Sequence, residues 1–464
     1  MLALENLMAA RYQMALSLGF HIILSCFGVA FPAMIYVVHR RGIRDNDQAA
    51  LDLAHKWAKA AAVLFAVGAV SGTILSFEMG LLWPELMSTF GDVLGLPFAL
   101  EGIAFFVEAI FMGIYLYGWN RLPPKIHLRT LIPMIISGVF GTFCVLAVNA
   151  WMNAPAGFEL GPPLPDGSLN VTDVDPLGAI FNGAVWQQFT HMFVAAYMVA
   201  GFVTAAVYAV GMMRGRRDRH HRLGFTVPFT FAAVGAVIQP FIGHIGGMRL
   251  ASDQPSKLAA MELAADPETR APLWLGGVLV DGDVRFGIPI PWLGSLISRA
   301  NIDRAVPGLS EFPVEDRPPA NVVHLAFQIM IGAGVVMALI ALWFGWRWRR
   351  SRRDPGADVF AGRWFLRAAL AAGILSVVAL ESGWTTTEVG RQPWIVFGVM
   401  RVEDAVTQSG NIWISLVVIV VVYTAMAVGA VSVLRGMARR WRDTGDVDLP
   451  TPYEIPERVH HEPR

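Results

Sequence analysis

The sequence predicts an all-α polytopic membrane protein with nine transmembrane helices, its N-terminus outside and its C-terminus in the cytoplasm. Three observations carry that prediction. Of 464 residues, 55% are hydrophobic and 16% charged, with a positive mean hydropathy, far more apolar than an ordinary soluble protein of this size. Nine apolar stretches each supply the roughly 20 helical residues that a hydrocarbon core requires. A formal net charge of zero conceals an alternation in which arginines crowd every second loop, the pattern of cytoplasmic segments.

The spans fall near 14–38, 58–82, 97–119, 129–150, 184–213, 223–245, 321–346, 364–384 and 411–434. The first apolar run is as long as a full span and lacks a small-residue cleavage site, so it reads as a retained helix rather than a signal peptide. The basic loops carry Arg40, Arg41 and Arg44; Arg121, Lys125 and Arg129; Arg214, Arg216, Arg217 and Arg219; Arg347, Arg349, Arg350, Arg352 and Arg353; and Arg435, Arg439, Arg440 and Arg442. The opposite connections 83–96 and 151–183 contain no Lys or Arg. An outside start and an inside end require an odd number of spans, which nine satisfies. Cys26 and Cys144 both fall within spans and read as buried thiols. No internal repeat of fixed period is present, which weakens a transporter built from inverted halves.

The chain therefore divides into helices one to six over 1–245, one large outer loop over 246–320, helices seven to nine over 321–434 and a cytoplasmic tail over 435–464. The outer loop mixes Pro, Gly and charge with two amphipathic pieces, KLAAMELA and PWLGSLISRA. The tail is basic, then Pro-rich and acidic, a composition that resists packing. Membrane lipid is the expected surroundings, and no nucleic acid partner is expected.

Chemistry concentrates in ESGWTTTEVGRQPW, from Glu381 to Trp394, where carboxylates, an arginine and two tryptophans close a strongly apolar segment. Charge at that depth is costly unless paired or bound, and an arginine beside tryptophans suits an anionic, planar ligand. Four outer-half positions bear groups able to bind haem iron: His21, His191, Met330, and Glu388 just beyond the eighth span. At 1.5 Å per residue all four lie within roughly 15 Å of the outer surface. One such histidine alone more often packs in a core, and a lone methionine is nearly always filler; a layer of four is harder to explain by packing. Imidazole and thioether from His191 and Met330 together fill both axial positions of a low-spin haem and raise its potential. His21 and Glu388 each suit a high-spin haem with one open position.

In the third span, Glu101 and Glu108 are seven residues apart and project from one face, about 10 Å apart along the axis. Intramembrane acids of this kind are candidates for a proton path rather than a structural ion pair, with Glu78 and Lys59 as weaker extensions. In the outer loop, Lys257 and Glu262 stand five residues apart on a short helix. On the residues alone this is a solvated amphipathic turn.

These motifs resemble subunit I of cytochrome bd-type quinol oxidases. GFHIILS around His21 resembles the family's helix-one motif with its haem-ligating histidine. QFTHMFVAAY around His191 and FQIMIGAG around Met330 resemble the segments that hold low-spin haem b. TEVGRQPW supplies Glu388 as a high-spin ligand and Arg391 as a partner for haem propionates, with Trp384 of the GW pair between cofactors. EG…FFxE places Glu101 and Glu108 near the high-spin haems. KLAAxE belongs to the family's Q-loop, where quinol is oxidised, and makes Glu262 the base and Lys257 the binder of quinol.

The resemblance covers all nine spans and implies a low-spin haem b, a high-spin haem b, and a haem d or a third haem b. It also implies a second membrane subunit, a possible small third one, and residence in a bacterial inner membrane. The expected function is oxidation of quinol at the outer face and reduction of O2 to water with cytoplasmic protons, building a proton motive force without pumping. Two departures stand out: Gly243-His244 where the family shows Gly-Asp, and Gln328 where some members have Arg. The short loop is similar to that of the cyanide-insensitive oxidases. The competing readings are a b-type cytochrome subunit passing electrons between quinone and another protein, and a proton-coupled transporter.

Overall fold

The computed structural model describes residues 2–354 and 356–443. Among them nine helices are long and apolar enough to cross a membrane. In chain order the helices that matter are α1 (Leu2–Asp45), α2 (Gln48–Leu82), α3 (Pro84–Tyr117), α4 (Leu131–Asn153), α5 (Val185–Met213), α6 (Arg219–Asp253), the short α7 (Pro255–Glu262) and α8 (Leu293–Arg299), then α9 (Ala320–Arg353), α10 (Arg363–Val389) and α11 (Ile412–Asp443). The nine long ones match the nine expected spans.

Most helices outrun their apolar stretches. Helix α6 continues to Asp253, past the expected loop start at 246, and α10 continues to Val389, so that Glu388 sits in its last turn rather than beyond it. Apolar composition marks only the part in hydrocarbon, whereas backbone hydrogen bonding continues wherever the chain meets no helix breaker. The expected tail at 435–464 begins as helix, since α11 runs to Asp443; residues 444–464 lie outside the described residues. Prolines lie inside α1, α3 and α6, and α3 is kinked at Phe90, whose φ of −113° and ψ of 15° are non-helical.

Packing is tightest where glycine lets backbones meet. A Cβ on Gly201 of α5 would stand 2.5 Å from the Pro228 carbonyl of α6, and one on Gly373 of α10 would stand 2.8 Å from Ala206 of α5. Around these contacts Phe202, Phe225, Phe229, Phe344 and Phe365 form one aromatic core joining α5, α6, α9 and α10. A second core joins α1, α2 and α3 through Met34, Leu53, Trp57 and Tyr115. Cys26 and Cys144 are buried free thiols.

The arginine-rich loops meet at one end. Asp47 caps α2 by accepting from the Ala50 amide at 3.3 Å and also accepts from Arg219 Nε at 2.9 Å. Arg217 and Arg222 both pair with Asp358. The connections α1–α2, α5–α6 and α9–α10 are thus tied together. At the opposite end, β1 (Leu273–Leu275), β2 (Val278–Val280), β3 (Asp283–Arg285) and β4 (Ile288–Ile290) form a nested hairpin, β1 pairing with β4 and β2 with β3, both antiparallel. A last pair, β5 (Trp394–Val396) and β6 (Met400–Arg401), follows α10.

Asp47 combines a cap with an ion pair, and the two are separable. Asp47→Ala should cost about 1 kcal/mol or more through loss of the cap and lower the unfolding temperature in detergent. Asp47→Asn, which retains a capping oxygen, should recover most of that loss; equal destabilisation by both would show that the ion pair carries the effect.

Candidate functional site

Each expected iron ligand lies between helices, and a glycine faces three of the four. His21 of α1 places Nδ1 2.9 Å from the Ser71 hydroxyl of α2. That hydroxyl donates to the Gly68 carbonyl at 3.0 Å, so His21 Nδ1 is the donor to Ser71 and Nε2 keeps its lone pair, the state a metal ligand needs. A Cβ on Gly72 would stand 2.9 Å from the His21 ring; glycine there makes room for it. His191 of α5 faces Gly243 of α6, 3.5 Å from where a Cβ would be, and its buried Nδ1 has no partner among the described residues. Met330 of α9 places Sδ 3.0 Å from the Cβ position of Gly383, next to Trp384. Trp384 packs against a buried cluster that α1, α5 and α10 supply through Ile22, Cys26, Val29, Ala196, Val199 and Leu380.

Glu388 ends α10. Its Oε1 accepts from Asn149 Nδ2 of α4 at 2.8 Å and its Oε2 from Arg391 at 2.5 Å. Arg391 is 4% exposed, and its Nε and Nη1 are buried with no partner among the described residues. Gly390 follows the helix, and Pro393, which has no amide hydrogen to donate, keeps the chain from resuming it. The turn is then fixed by Trp394 under the Arg401 guanidinium, 4.9 Å from the ring centroid, and by an ion pair from Arg401 to Asp316. Arg11 of α1 reaches the same turn, donating to Gln392 Oε1 at 2.7 Å, and its Nε is likewise buried and unpartnered.

Glu108 of α3 lies between α1 and α4, its oxygens 3.6–3.7 Å from the Cβ positions of Gly28 and Gly138. Its Oε1 is buried without a partner, and among the described residues neither Glu108 nor Glu101 meets a cation within ion-pair distance, which removes the structural salt bridge as an explanation. Glu78 turns elsewhere: Gln13 Nε2 donates to it at 2.9 Å, and both line an apolar groove of about 560 Å3 between α1, α2 and α11. Lys59 is exposed. Glu381, one turn before Trp384, faces Gly19 with Oε2 3.0 Å from the Cβ position and leaves Oε1 buried and unpartnered.

The solvated-turn reading of KLAAMELA is overturned. From Ser256 to Glu262 every residue of α7 is buried. Lys257 is 3% and Glu262 5% exposed. Burial pushes the Lys257 ammonium down to about 7, with Arg391 adding to the shift and Glu388 opposing it. Burial alone pushes the Glu262 carboxyl up to about 7, and its Oε2 has no partner. The Lys257 stem lies against the GRQPW turn: a Cβ on Gly390 would stand 2.8 Å from Lys257 Cγ. Its Nζ donates to Asn153 Oδ1 of α4 at 2.9 Å.

His324, six residues before Met330 on α9, holds this arrangement in place. Its Nδ1 faces the Met261 carbonyl of α7 at 2.6 Å and its Nε2 the Gly276 carbonyl of the hairpin at 3.0 Å. His244 is exposed and Gln328 half-buried. Arg11, Ser71, Asn149, Asn153 and His324 were not expected from the sequence. Glu381, an acid inside an apolar run, was singled out there without a specific role.

The donor set fits haem. One imidazole with Nε2 free, a second imidazole with an unpartnered ring nitrogen, a thioether and an anionic carboxylate are all iron ligands. Buried guanidinium nitrogens without partners on Arg11 and Arg391 suit the propionates.

Comparison with known proteins agrees. The family described as cytochrome bd terminal oxidase subunit I matches residues 9–441. A Bacillus subtilis (strain 168) protein, provisionally named a cytochrome bd menaquinol oxidase subunit I, is 33% identical over 93% of this chain and 96% of its own. Subunit 1 of the cytochrome bd ubiquinol oxidase of the same organism is 28% identical over 93% of this chain and 92% of its own. The solved bd oxidase of Geobacillus thermodenitrificans superimposes with a TM-score of 0.87 at 35% identity, covering 95% of this chain and all of that one.

Replacing His324 by Ala removes the ring that bridges the Met261 and Gly276 carbonyls, of which a neutral imidazole donates to one and an imidazolium to both. Loss of a buried hydrogen bond costs about 1–3 kcal/mol, so amide hydrogen exchange across 255–262 and 273–290 should accelerate by about tenfold or more. Unchanged protection of both segments would remove His324 as their clasp.

Proposed function

This chain belongs to the cytochrome bd terminal oxidase subunit I family and is subunit I of a quinol oxidase, and on that premise we propose how its residues divide the work. The family implies haem cofactors, quinol and a second subunit. His191 and Met330 would hold the low-spin haem b; His21 and Glu388 would hold the two high-spin haems, the third being haem d or a further b; Arg391 and Arg11 would take propionates. When bound, haem supplies the one-electron chemistry and an open position for oxygen.

Quinol oxidation belongs to α7. Glu262 accepts the hydroxyl proton and Lys257 hydrogen-bonds the quinol oxygen. The observation that carries this is the burial of both ionisable groups on one short helix, each displaced toward neutrality; buried groups with displaced pKa values are the mark of a working site. Glu101 and Glu108 hold and pass protons toward the oxygen side. Glu108 lies against two glycines, one on α1 and one on α4, and its Oε1 is buried with no partner among the described residues.

The orientation follows from the arginines. The loops that Asp47, Arg219, Arg222 and Asp358 tie together face the cytoplasm, the N-terminus lies outside and the C-terminus inside. Quinol protons then leave outside while those for water arrive from inside, so a membrane potential builds without pumping. A bacterial cytoplasmic membrane is the expected location.

The decisive measurement is a dithionite-reduced minus air-oxidised spectrum of the purified complex, repeated with carbon monoxide. Low-spin b bands plus a carbon monoxide-sensitive high-spin species are expected; haem without any carbon monoxide response would contradict an oxygen-reducing site. Met330→Leu should remove the low-spin signal while the protein stays inserted, and an unchanged spectrum would strike Met330 from the ligands. The pH profile of kcat/KM for quinol should be a bell centred near 7. Glu262 must be ionised to act as a base, so the rate rises through about 7; Lys257 must be charged to donate as an ammonium, so it falls above about 7. Glu262→Gln should abolish the rising limb, and a retained limb with normal turnover would exclude Glu262 as the base.

A further inference from the structure

The quinol-side lysine and the haem-side carboxylate are joined by a chain of side-chain hydrogen bonds. Lys257 Nζ donates to Asn153 Oδ1 at 2.9 Å. Asn153 Nδ2 donates to Asn149 Oδ1 at 3.3 Å and to the Asn149 carbonyl at 2.9 Å. Asn149 Nδ2 donates to Glu388 Oε1 at 2.8 Å. Every donor points the same way, from the ammonium toward the carboxylate, and hydrogen bonds in series polarise one another.

Resting on the reading of Lys257 as the quinol contact and Glu388 as a haem ligand, we infer that Asn153 and Asn149 are positioning residues that couple the two sites, so that occupancy of the quinol site alters the Glu388 carboxylate.

The residue type suits the geometry. Asparagines four apart on α4 present one face, and a side-chain amide accepts from the cation through its oxygen while donating to the next member through its nitrogen. Asn153 is 4% exposed, and its Oδ1 is also taken by Gln254 Nε2 at 3.0 Å, so both of its loop-side donors come from the segment that carries the quinol base. Asn153 Nδ2 also serves the α4 backbone through the Asn149 carbonyl, but its Oδ1 is given to Lys257 and Gln254. At the far end Glu388 has one oxygen on Asn149 and the other on Arg391, so any change in the amide's donor strength falls on one oxygen of the carboxylate. The lysine has three donors. When a quinol oxygen takes one of them, the share of charge felt by Asn153 changes, and the bridge carries that change to Glu388 with no proton or electron moving along it.

The test uses the purified haem-loaded complex, reduced with dithionite and bound to carbon monoxide, titrated with a hydroxyquinoline N-oxide as a non-reducible quinol analogue. Saturating analogue should shift the high-spin haem band in the unmodified protein. In Asn153→Leu the shift should be lost, with the KM for quinol raised severalfold because Lys257 loses its acceptor. In Asn153→Asp the acceptor remains but the donor to Asn149 is gone, so analogue binding should stay close to normal and the shift should still be lost. If Asn153→Leu fails to load haem, Asn153→Asp decides alone. A shift of unchanged size in Asn153→Asp, or none in the unmodified protein despite bound analogue, would overturn the coupling. Failure of the underlying reading looks different: Glu388→Ala with every haem band intact, or Lys257→Met with unchanged quinol KM, would overturn the end points themselves and the inference with them.

Discussion

An ionisable side chain inside a hydrocarbon-thick bundle has to be paired, bound or neutral, and the packing here is organised around that requirement. Charge that is only structural is kept to the ends, where Asp47, Arg219, Arg222 and Asp358 tie loops together. Charge and imidazole within the bundle face glycines of neighbouring helices: His21 faces Gly72, His191 faces Gly243, Glu381 faces Gly19, and Glu108 faces both Gly28 and Gly138. A methyl group at Gly72 or Gly19 would crowd the side chain it faces, whereas one at Gly243, Gly28 or Gly138 would make ordinary van der Waals contact. At Gly72 and Gly19 the small residues that let membrane helices approach therefore also make room for a polar side chain.

The GRQPW turn is where the elements of the site meet. Glu388 and Arg391 pair across it, Arg11 enters from α1, Asn149 from α4, and the Lys257 stem rests on Gly390. Helix α7 is held against this turn on one side by Asn153 and on the other by His324, whose helix carries Met330. The residues proposed for quinol and for haem thus rest on shared supports. Burial of Lys257 and Glu262 is the consequence, and it brings both groups toward the middle of the physiological pH range.

Much of this was legible in the chain. KLAAMELA was recognisable as a motif, yet its residues taken alone describe a solvated turn, because a short amphipathic helix looks the same whether its polar face meets water or the end of a bundle. Asn149, Asn153, Ser71 and Arg11 carried no signal at all. They are ordinary polar residues near span ends, and their importance lies in partners up to 381 residues away.

The sequence by itself determined nine helices, their alternation of arginine-rich and arginine-poor connections, and the residue types able to hold iron. The bilayer reads composition locally, one segment at a time, so those features need no knowledge of neighbours. Only the tertiary structure decided that Glu388 ends a helix instead of following one, that α7 is buried, that His21 presents Nε2, and that two asparagines join lysine to carboxylate. Each of those depends on the rotation and register of helices distant in the chain, which close packing sets and local composition does not encode.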